Sequence, residues 1–126
     1  MVMIKKLIRL NLALLVSLIL TFTFGYLTSE LDPLPILLYL HMGFAVLSFS
    51  LGVTLSLLGS KSGLSLVSIT SKLVGGGISL SATCGLVYLL KGINLMVTLM
   101  LTGFLIALIS VSFTIGYIVG VKKVIS

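Results

Sequence analysis

Four long apolar runs follow one another along the chain and limit what it can fold into. They cover residues 7–27, 35–58, 66–90 and 93–121. A helix needs about 20 residues to cross the hydrocarbon core of a bilayer, so each run is long enough to span it. Only 8% of the residues are charged, against about 25% in a typical soluble domain, which leaves too few to cover a soluble surface. The sequence therefore predicts an integral membrane protein.

Short connections join the four predicted helices. Because these segments are brief, each helix should run antiparallel to the one before it and pack against it. Pro35 suits the first turn of the second helix, since proline has no N–H group to leave unpaired there. We therefore predict an all-α fold, a four-helix up-down membrane bundle in which residues 1–126 form one transmembrane domain.

The basic residues lie near the ends of the apolar runs and indicate an orientation. With a cytoplasmic N-terminus, only Lys91 falls on the outer side. The inner side then carries Lys5, Lys6, Arg9, Lys61, Lys72, Lys122 and Lys123. Because basic residues favour the cytoplasmic side, we expect both termini inside the cell, with the protein in the cell membrane. Attraction to anionic lipid headgroups explains the net charge of +6. The sequence has no basic face interleaved with aromatic residues, so nucleic-acid binding is not predicted.

Small residues recur at helical spacing on three of the predicted helices. They are Ala45, Ser48, Gly52 and Ser56 on the second helix, Gly77, Ser81 and Gly85 on the third, and Gly116 and Gly120 on the fourth. Small side chains let helix backbones approach one another in a membrane, so we interpret these stripes as packing surfaces. They also suit contacts with protein partners or with further copies of the chain. Four residues before Ala45 lies His41, which should therefore face a neighbouring helix.

An offset of sixty residues brings the two halves of the chain into register. The identities cluster around two glycines in each half, Gly25 with Gly85 and Gly43 with Gly103. This offset predicts two tandem helical hairpins arranged in parallel sense. In this register the counterpart of His41 is Leu101.

His41 is the only histidine of the chain and lies about six residues inside the second predicted helix. An imidazole at that depth needs a partner, because lipid supplies none. One interpretation is a hydrogen bond to a backbone carbonyl or a hydroxyl of a neighbouring helix, which contributes about 1 kcal/mol. The candidate partner residues are Thr21, Thr23, Thr98 and Thr102.

A second interpretation makes His41 an axial ligand of haem b. Neutral imidazole in an apolar surrounding is suited to haem iron. The other axial ligand would be His41 of the partner subunit or a methionine of the fourth helix, Met96 or Met100. A proton relay is disfavoured, because no Asp or Glu lies within a predicted span.

The first predicted hairpin resembles a hairpin of the haem A synthase (cytochrome oxidase assembly) family. The matching positions are Gly25 near the end of the first helix, and His41 and Ala45 in the second. The resemblance implies a half-sized, four-helix unit in which His41 ligates haem near the outer membrane face. That family places another ligand histidine on the fourth helix, where this chain has Leu101 or Thr102. The resemblance therefore implies a haem-binding or structural relative and not enzymatic haem A synthesis.

The sequence contains no nucleophile–base pair, carboxylate pair or metal-ligand cluster at a recognisable spacing. We therefore predict a multi-pass membrane protein without catalytic machinery of its own. Its expected role is that of a small subunit or self-associating component of a membrane assembly, such as a respiratory one, with haem b binding as the alternative. A small transporter is disfavoured, because no predicted helix has a midplane charge or a clear proline break.

Overall fold

The computed structural model describes residues 2–30 and 35–125, which form four α-helices and no strand within those ranges. The helices are α1 (Val2–Glu30), α2 (Pro35–Ser60), α3 (Ser65–Lys91) and α4 (Asn94–Ile125). The predicted all-α four-helix architecture is confirmed. Most helix ends reach beyond the apolar runs, because the flanking basic and polar residues continue the helical turns without a breaker.

Two glycines make the tight connections on either side of α3. Gly63, between α2 and α3, has a φ of 78°, and Gly92, directly after α3, has a φ of 66°. Residues with a Cβ rarely adopt this left-handed conformation. The backbone N–H of Gly92 donates to the carbonyl of Tyr88 at 2.8 Å and so ends the helix. These turns allow consecutive helices to reverse direction within a few residues.

Each helix packs against two others and has no backbone contact with the helix diagonally opposite. The neighbouring pairs are α1–α2, α2–α3, α3–α4 and α1–α4. All four helices are long and apolar enough to cross a membrane. Large apolar side chains cover the outside; Val46 and Ile109, for example, are each 67% exposed. Such a surface is suited to lipid, as expected of a multi-pass membrane protein.

The buried faces show that the two hairpins repeat with two different offsets. On α1 and α3 the buried positions differ by sixty; they are Leu7, Asn11, Leu14 and Leu18, matched by Val67, Ser71, Val74 and Ile78. On α2 and α4 the buried positions differ by fifty-nine; they are Ser48, Gly52, Leu55 and Gly59, matched by Ala107, Val111, Thr114 and Ile118. The expected gapless offset of sixty is therefore wrong for the second helix of each hairpin.

The contacts inside the hairpins follow the same two offsets. In the first hairpin the hydroxyl of Ser17 donates to the carbonyl of Phe44 at 3.3 Å. At the corresponding place in the second, a methyl group on Gly77 would lie 2.7 Å from the carbonyl oxygen of Gly103. The connection before α4 is shorter than the one before α2, so the single-residue difference arises between the helices. As a result, the structural counterpart of His41 is Met100 and not Leu101.

Glycines also bring α2 and α3 close together. A methyl group on Gly52 would lie 2.8 Å from the Cδ1 atom of Ile78, and one on Gly75 would lie 3.2 Å from the Cβ atom of Ser56. The α-carbon of Gly59 is in close contact with the side chain of Ser71. The predicted small-residue stripe of α2 therefore packs inside the bundle, as expected.

The predicted stripe of α4 does not pack inside the bundle. Gly116 and Gly120 are exposed, and a methyl group on either would meet no atom within 4 Å. The buried face of α4 instead passes through Val111, Thr114 and Ile118. Gly116 and Gly120 therefore contact no other helix among the described residues, because larger side chains occupy the face of α4 that packs inside the bundle.

Candidate functional site

The candidate site lies where α1 crosses α2, on a face of α1 that carries only small or hydroxyl-bearing residues. Ser17, Thr21 and Gly25 recur at four-residue spacing, which places them one above another on the same side of a helix. α2 brings His41 and Ser48 against this face. The site is therefore built from one face of each helix of the first hairpin.

The imidazole of His41 is held by the backbone of α1. Its Nδ1 atom lies 2.7 Å from the carbonyl oxygen of Thr21. A carbonyl oxygen can only accept, so Nδ1 carries a proton and donates it, and in a neutral imidazole Nε2 then has the lone pair. The described residues offer no hydrogen-bond partner to Nε2. In the neutral ring, which is half-buried, Nε2 is thus an acceptor without a partner among residues 2–30 and 35–125.

Gly25 provides the space that the imidazole occupies. A methyl group on Gly25 would lie 2.9 Å from both Nδ1 and Cε1 of His41. Real Cβ atoms do not approach another atom so closely, so a larger residue would displace the ring from Thr21. The stacked rings of Phe24 and Phe44, whose centroids are 5.6 Å apart, join the same two helices nearby.

Hydroxyl groups continue the polar contact between α1 and α2 on the side of His41 nearer the chain termini. The Oγ atoms of Ser17 and Ser48 lie 2.7 Å apart, and Thr21 Oγ1 lies 3.3 Å from Ser48 Oγ. Thr21 Oγ1 also donates to the carbonyl of Ser17 at 2.7 Å. Sequence reasoning identified Thr21 and Ser48 but missed Ser17, whose four-residue spacing from Thr21 was the available signal.

Thr23 and Thr102, two other predicted partners of His41, bond within their own helices. Thr23 donates to the carbonyl of Ile19 at 2.8 Å, and Thr102 donates to the carbonyl of Thr98 at 2.8 Å. A hydroxyl on a membrane helix satisfies itself locally in this way, which removes the need for a partner on another helix.

Met100, which the sequence predicts as a second haem ligand, does not pack against His41, because their helices are not neighbours. A methyl group on Gly85 would lie 3.1 Å from the Sδ atom of Met100, so this side chain packs on α3. His41 packs on α1, and α2 and α4 are diagonal in the bundle. Met100 and His41 thus occupy equivalent places in separate hairpins.

Among the residues that the structure describes, two buried polar side-chain atoms have no hydrogen-bond partner, and sequence reasoning missed both. They are Oδ1 of Asn11 and Oγ of Ser71, which stand at equivalent positions of α1 and α3. Asn11 does donate from its amide nitrogen to the carbonyl of Leu7 at 2.8 Å. The glycines 75–77 lie within the continuous α3 helix, which is unlike a phosphate-binding loop.

The arrangement around His41 can supply one nitrogen ligand or one acceptor. Across residues 2–30 and 35–125, no three His, Cys, Asp or Glu side chains come together as a metal site would require. Comparisons of the chain with models of known families, with curated proteins and with solved structures found no match. The interpretation of the site therefore depends on its geometry.

Proposed function

We propose that this protein is a small subunit or self-associating component of a membrane assembly. The supporting observation is the outward glycine face of α4, formed by Gly116 and Gly120. Both glycines are exposed, with no atom within 4 Å of a methyl group placed on them. Ser112, one turn earlier, is exposed as well and extends the face.

A glycine face of this kind favours association with another helix. Glycines spaced by four residues leave a shallow groove, and a second helix can approach it closely enough for extensive van der Waals contact. Lipid chains fill such a groove less completely than a helix of complementary shape does. We expect a second copy of the chain or a helix of a partner protein to occupy it, in an assembly such as a respiratory complex. Both termini are proposed to face the cytoplasm of the cell.

Association can be tested by replacing the glycines of this face with larger residues. Gly116→Leu/Gly120→Leu should abolish crosslinking to the partner, or between copies, in native membranes, because two isobutyl groups fill the groove. Gly76→Leu, at another exposed glycine with no atom within 4 Å, is the matched control and should leave the crosslinks intact. A protein that remains monomeric before any substitution contradicts the proposal.

A second candidate function is haem b binding, and the geometry of His41 is what favours it. Histidines that ligate a metal commonly donate their other ring N–H to a backbone carbonyl, which orients the ring and makes the free nitrogen a better ligand. The bond from Nδ1 to Thr21 and the free Nε2 of His41 fit that pattern. Haem iron held at Nε2 would supply one-electron transfer.

The chain's own residues would position the imidazole for this role. Thr21 holds the proton on Nδ1, and Gly25 allows the ring to lie close to the backbone of α1. Because Met100 packs in the other hairpin, the second ligand is expected to be His41 of the partner subunit. The resemblance to the haem A synthase family agrees with this candidate function at Gly25 and His41.

A reduced-minus-oxidised spectrum of the purified protein, after haem supplementation, tests this candidate. We expect Soret and α bands in the wild type, their loss in His41→Ala, and their retention in Met100→Leu. A wild-type protein without these bands would rule out the cytochrome-like function and leave the assembly proposal standing, since the glycine face of α4 is separate from His41.

A further inference from the structure

The seam between α1 and α4 is the open side of the bundle. These two helices are the least extensively packed of the four neighbouring pairs. The repeat of the two hairpins makes this seam equivalent to the α2–α3 seam, and a comparison of the two explains why α1 and α4 pack less extensively. The glycines that bring α2 and α3 together are Gly52, Gly59 and Gly75, and their counterparts in the open seam are Val111, Ile118 and Leu15. Branched side chains therefore keep α1 and α4 apart.

A basic cavity lies in this seam at the end of the bundle that carries both termini. It measures about 270 Å³ and is lined by Lys5, Ile8, Arg9 and Lys122. No acidic side chain lines it, and the only two acidic residues, Glu30 and Asp32, belong to the opposite end of α1 and the connection after it. Three cations without an acidic neighbour favour an anion.

An apolar groove follows in the same seam, farther from the termini. Its volume is about 410 Å³ and no polar atom is exposed in it. It is lined by Ile19, Phe22, Leu101, Phe104, Leu105 and Leu108. The rings of Phe22 and Phe104, whose centroids are 5.4 Å apart, stack across the seam here. The groove can therefore take a hydrocarbon chain but no charged group.

The basic cavity and the apolar groove are separated by at least the length of one acyl chain. Ten residues of α1 separate Arg9 from Ile19 and fourteen residues of α4 separate Lys122 from Leu108, which is about 15 Å and about 21 Å of helix rise. The acyl chains of one leaflet reach about 15 Å, half of the hydrocarbon core, so the end of a chain reaches the near edge of the groove. We propose that the α1–α4 seam binds an anionic phospholipid, with its phosphate among Lys5, Arg9 and Lys122 and the end of one acyl chain in the groove. Basic pockets between membrane helices are known to hold anionic headgroups.

Native mass spectrometry of the full chain in a neutral detergent tests the headgroup contact. The probes are dioleoyl phosphatidylglycerol and dioleoyl phosphatidylcholine at equal concentration, which differ in charge but not in acyl chains. We expect the wild type to prefer the anionic lipid by at least about tenfold, since each cation near a headgroup contributes about fivefold. Arg9→Gln/Lys122→Gln should lose this preference.

Lys61→Gln/Lys72→Gln is the matched control. It removes two exposed cations that line neither cavity and should keep the preference of the wild type. An equal loss in both double variants would show that net charge alone attracts the lipid, and it would overturn the proposal. Equal binding of the two lipids by the wild type would overturn it as well.

Two further measurements test the acyl-chain site and distinguish a bound lipid from a bound free anion. Leu105→Trp, which fills the groove, should weaken binding of the anionic lipid several-fold, whereas Ile109→Trp, on a 67% exposed residue outside the groove, should not. Displacement of the lipid by inorganic phosphate at equal concentration would identify a free-anion site and overturn the lipid assignment. Undiminished binding by Leu105→Trp would overturn the groove as the acyl-chain site.

Discussion

Gly77 of α3 and Gly103 of α4 face each other so closely that neither can carry a side chain. A methyl group on Gly77 would lie 2.7 Å from the carbonyl oxygen of Gly103, and one on Gly103 would lie 2.6 Å from the carbonyl oxygen of Gly77. Both approaches involve backbone atoms, which cannot move aside as a flexible side chain can. The second hairpin is therefore held by backbone proximity and by one buried hydroxyl contact, Thr114 Oγ1 to Thr70 Oγ1 at 2.8 Å. The first is held by hydroxyl groups and an imidazole.

Gly77→Ala should destabilise the bundle by about 1–3 kcal/mol, the usual cost of overpacking a close contact. Gly76→Ala is the control, because Gly76 is exposed and a methyl group there meets no atom within 4 Å. It should leave stability unchanged or raise it slightly through better helix propensity. Unfolding by denaturing detergent, followed by circular dichroism, measures both. Equal stability of the two variants would contradict the close crossing.

Gly25→Ala should cost about 1 kcal/mol, because the new methyl group displaces the imidazole of His41 from the Thr21 carbonyl. In a His41→Ala background the ring is absent, so the same substitution should cost almost nothing. A double-mutant cycle on unfolding free energies measures this coupling. Additive costs would mean that Gly25 and His41 do not depend on each other. Gly43→Ala, which meets no atom within 4 Å, serves as the unaffected control.

Ser48→Ala should destabilise the first hairpin by about 1 kcal/mol, since it removes the hydroxyl that contacts Ser17 and Thr21 of the other helix. Ser50→Ala should have little effect, because the exposed hydroxyl of Ser50 donates only to the carbonyl of Val46 in its own helix. The comparison uses the same detergent-unfolding assay. If the two variants lose equal stability, the hydroxyl contacts between α1 and α2 contribute nothing specific.

Labelling with a membrane-impermeant maleimide should establish the proposed orientation. In a Cys84→Ala background, a cysteine at the exposed Asn94 should react from outside intact cells, and one at the exposed Ser60 only after permeabilisation. The reason is the excess of basic residues at the end that carries both termini. The buried native Cys84, 6% exposed, should remain unlabelled in the unmodified chain. The opposite labelling pattern would reverse the proposed orientation.

Hydropathy and connection length were sufficient to predict the four helices and their order. Each helix must be long and apolar enough to cross the bilayer, and short connections make consecutive helices antiparallel. The same two features could not predict the register of α4. Whether Ala107 or Leu108 faces the core depends on how closely Gly77 and Gly103 approach, which is a tertiary contact. The partner of His41 was predicted only as a choice among several residues, since a backbone carbonyl such as that of Thr21 is present at every position and leaves no mark in the sequence.

Small-residue patterns proved ambiguous for a related reason. Gly52 and Gly116 belong to similar stripes, yet Gly52 packs inside the bundle and Gly116 faces outward. The pattern shows that a helix could approach, but it does not identify which helix does. The open α1–α4 seam could not be predicted from the sequence either. It is open because Val111, Ile118 and Leu15 occupy the positions that are glycines in the α2–α3 seam.

The fifty-nine-residue offset between α2 and α4 gives the two halves different outer faces. The counterpart of Gly116 on α2 is Leu57, a side chain that is 62% exposed, so only one half of this pseudo-symmetric body carries the glycine groove. Two copies that join groove to groove form an isologous contact related by a two-fold axis, and neither copy keeps an unused groove. Groove-to-groove self-association is therefore closed at a dimer and cannot propagate into a filament in the plane of the membrane.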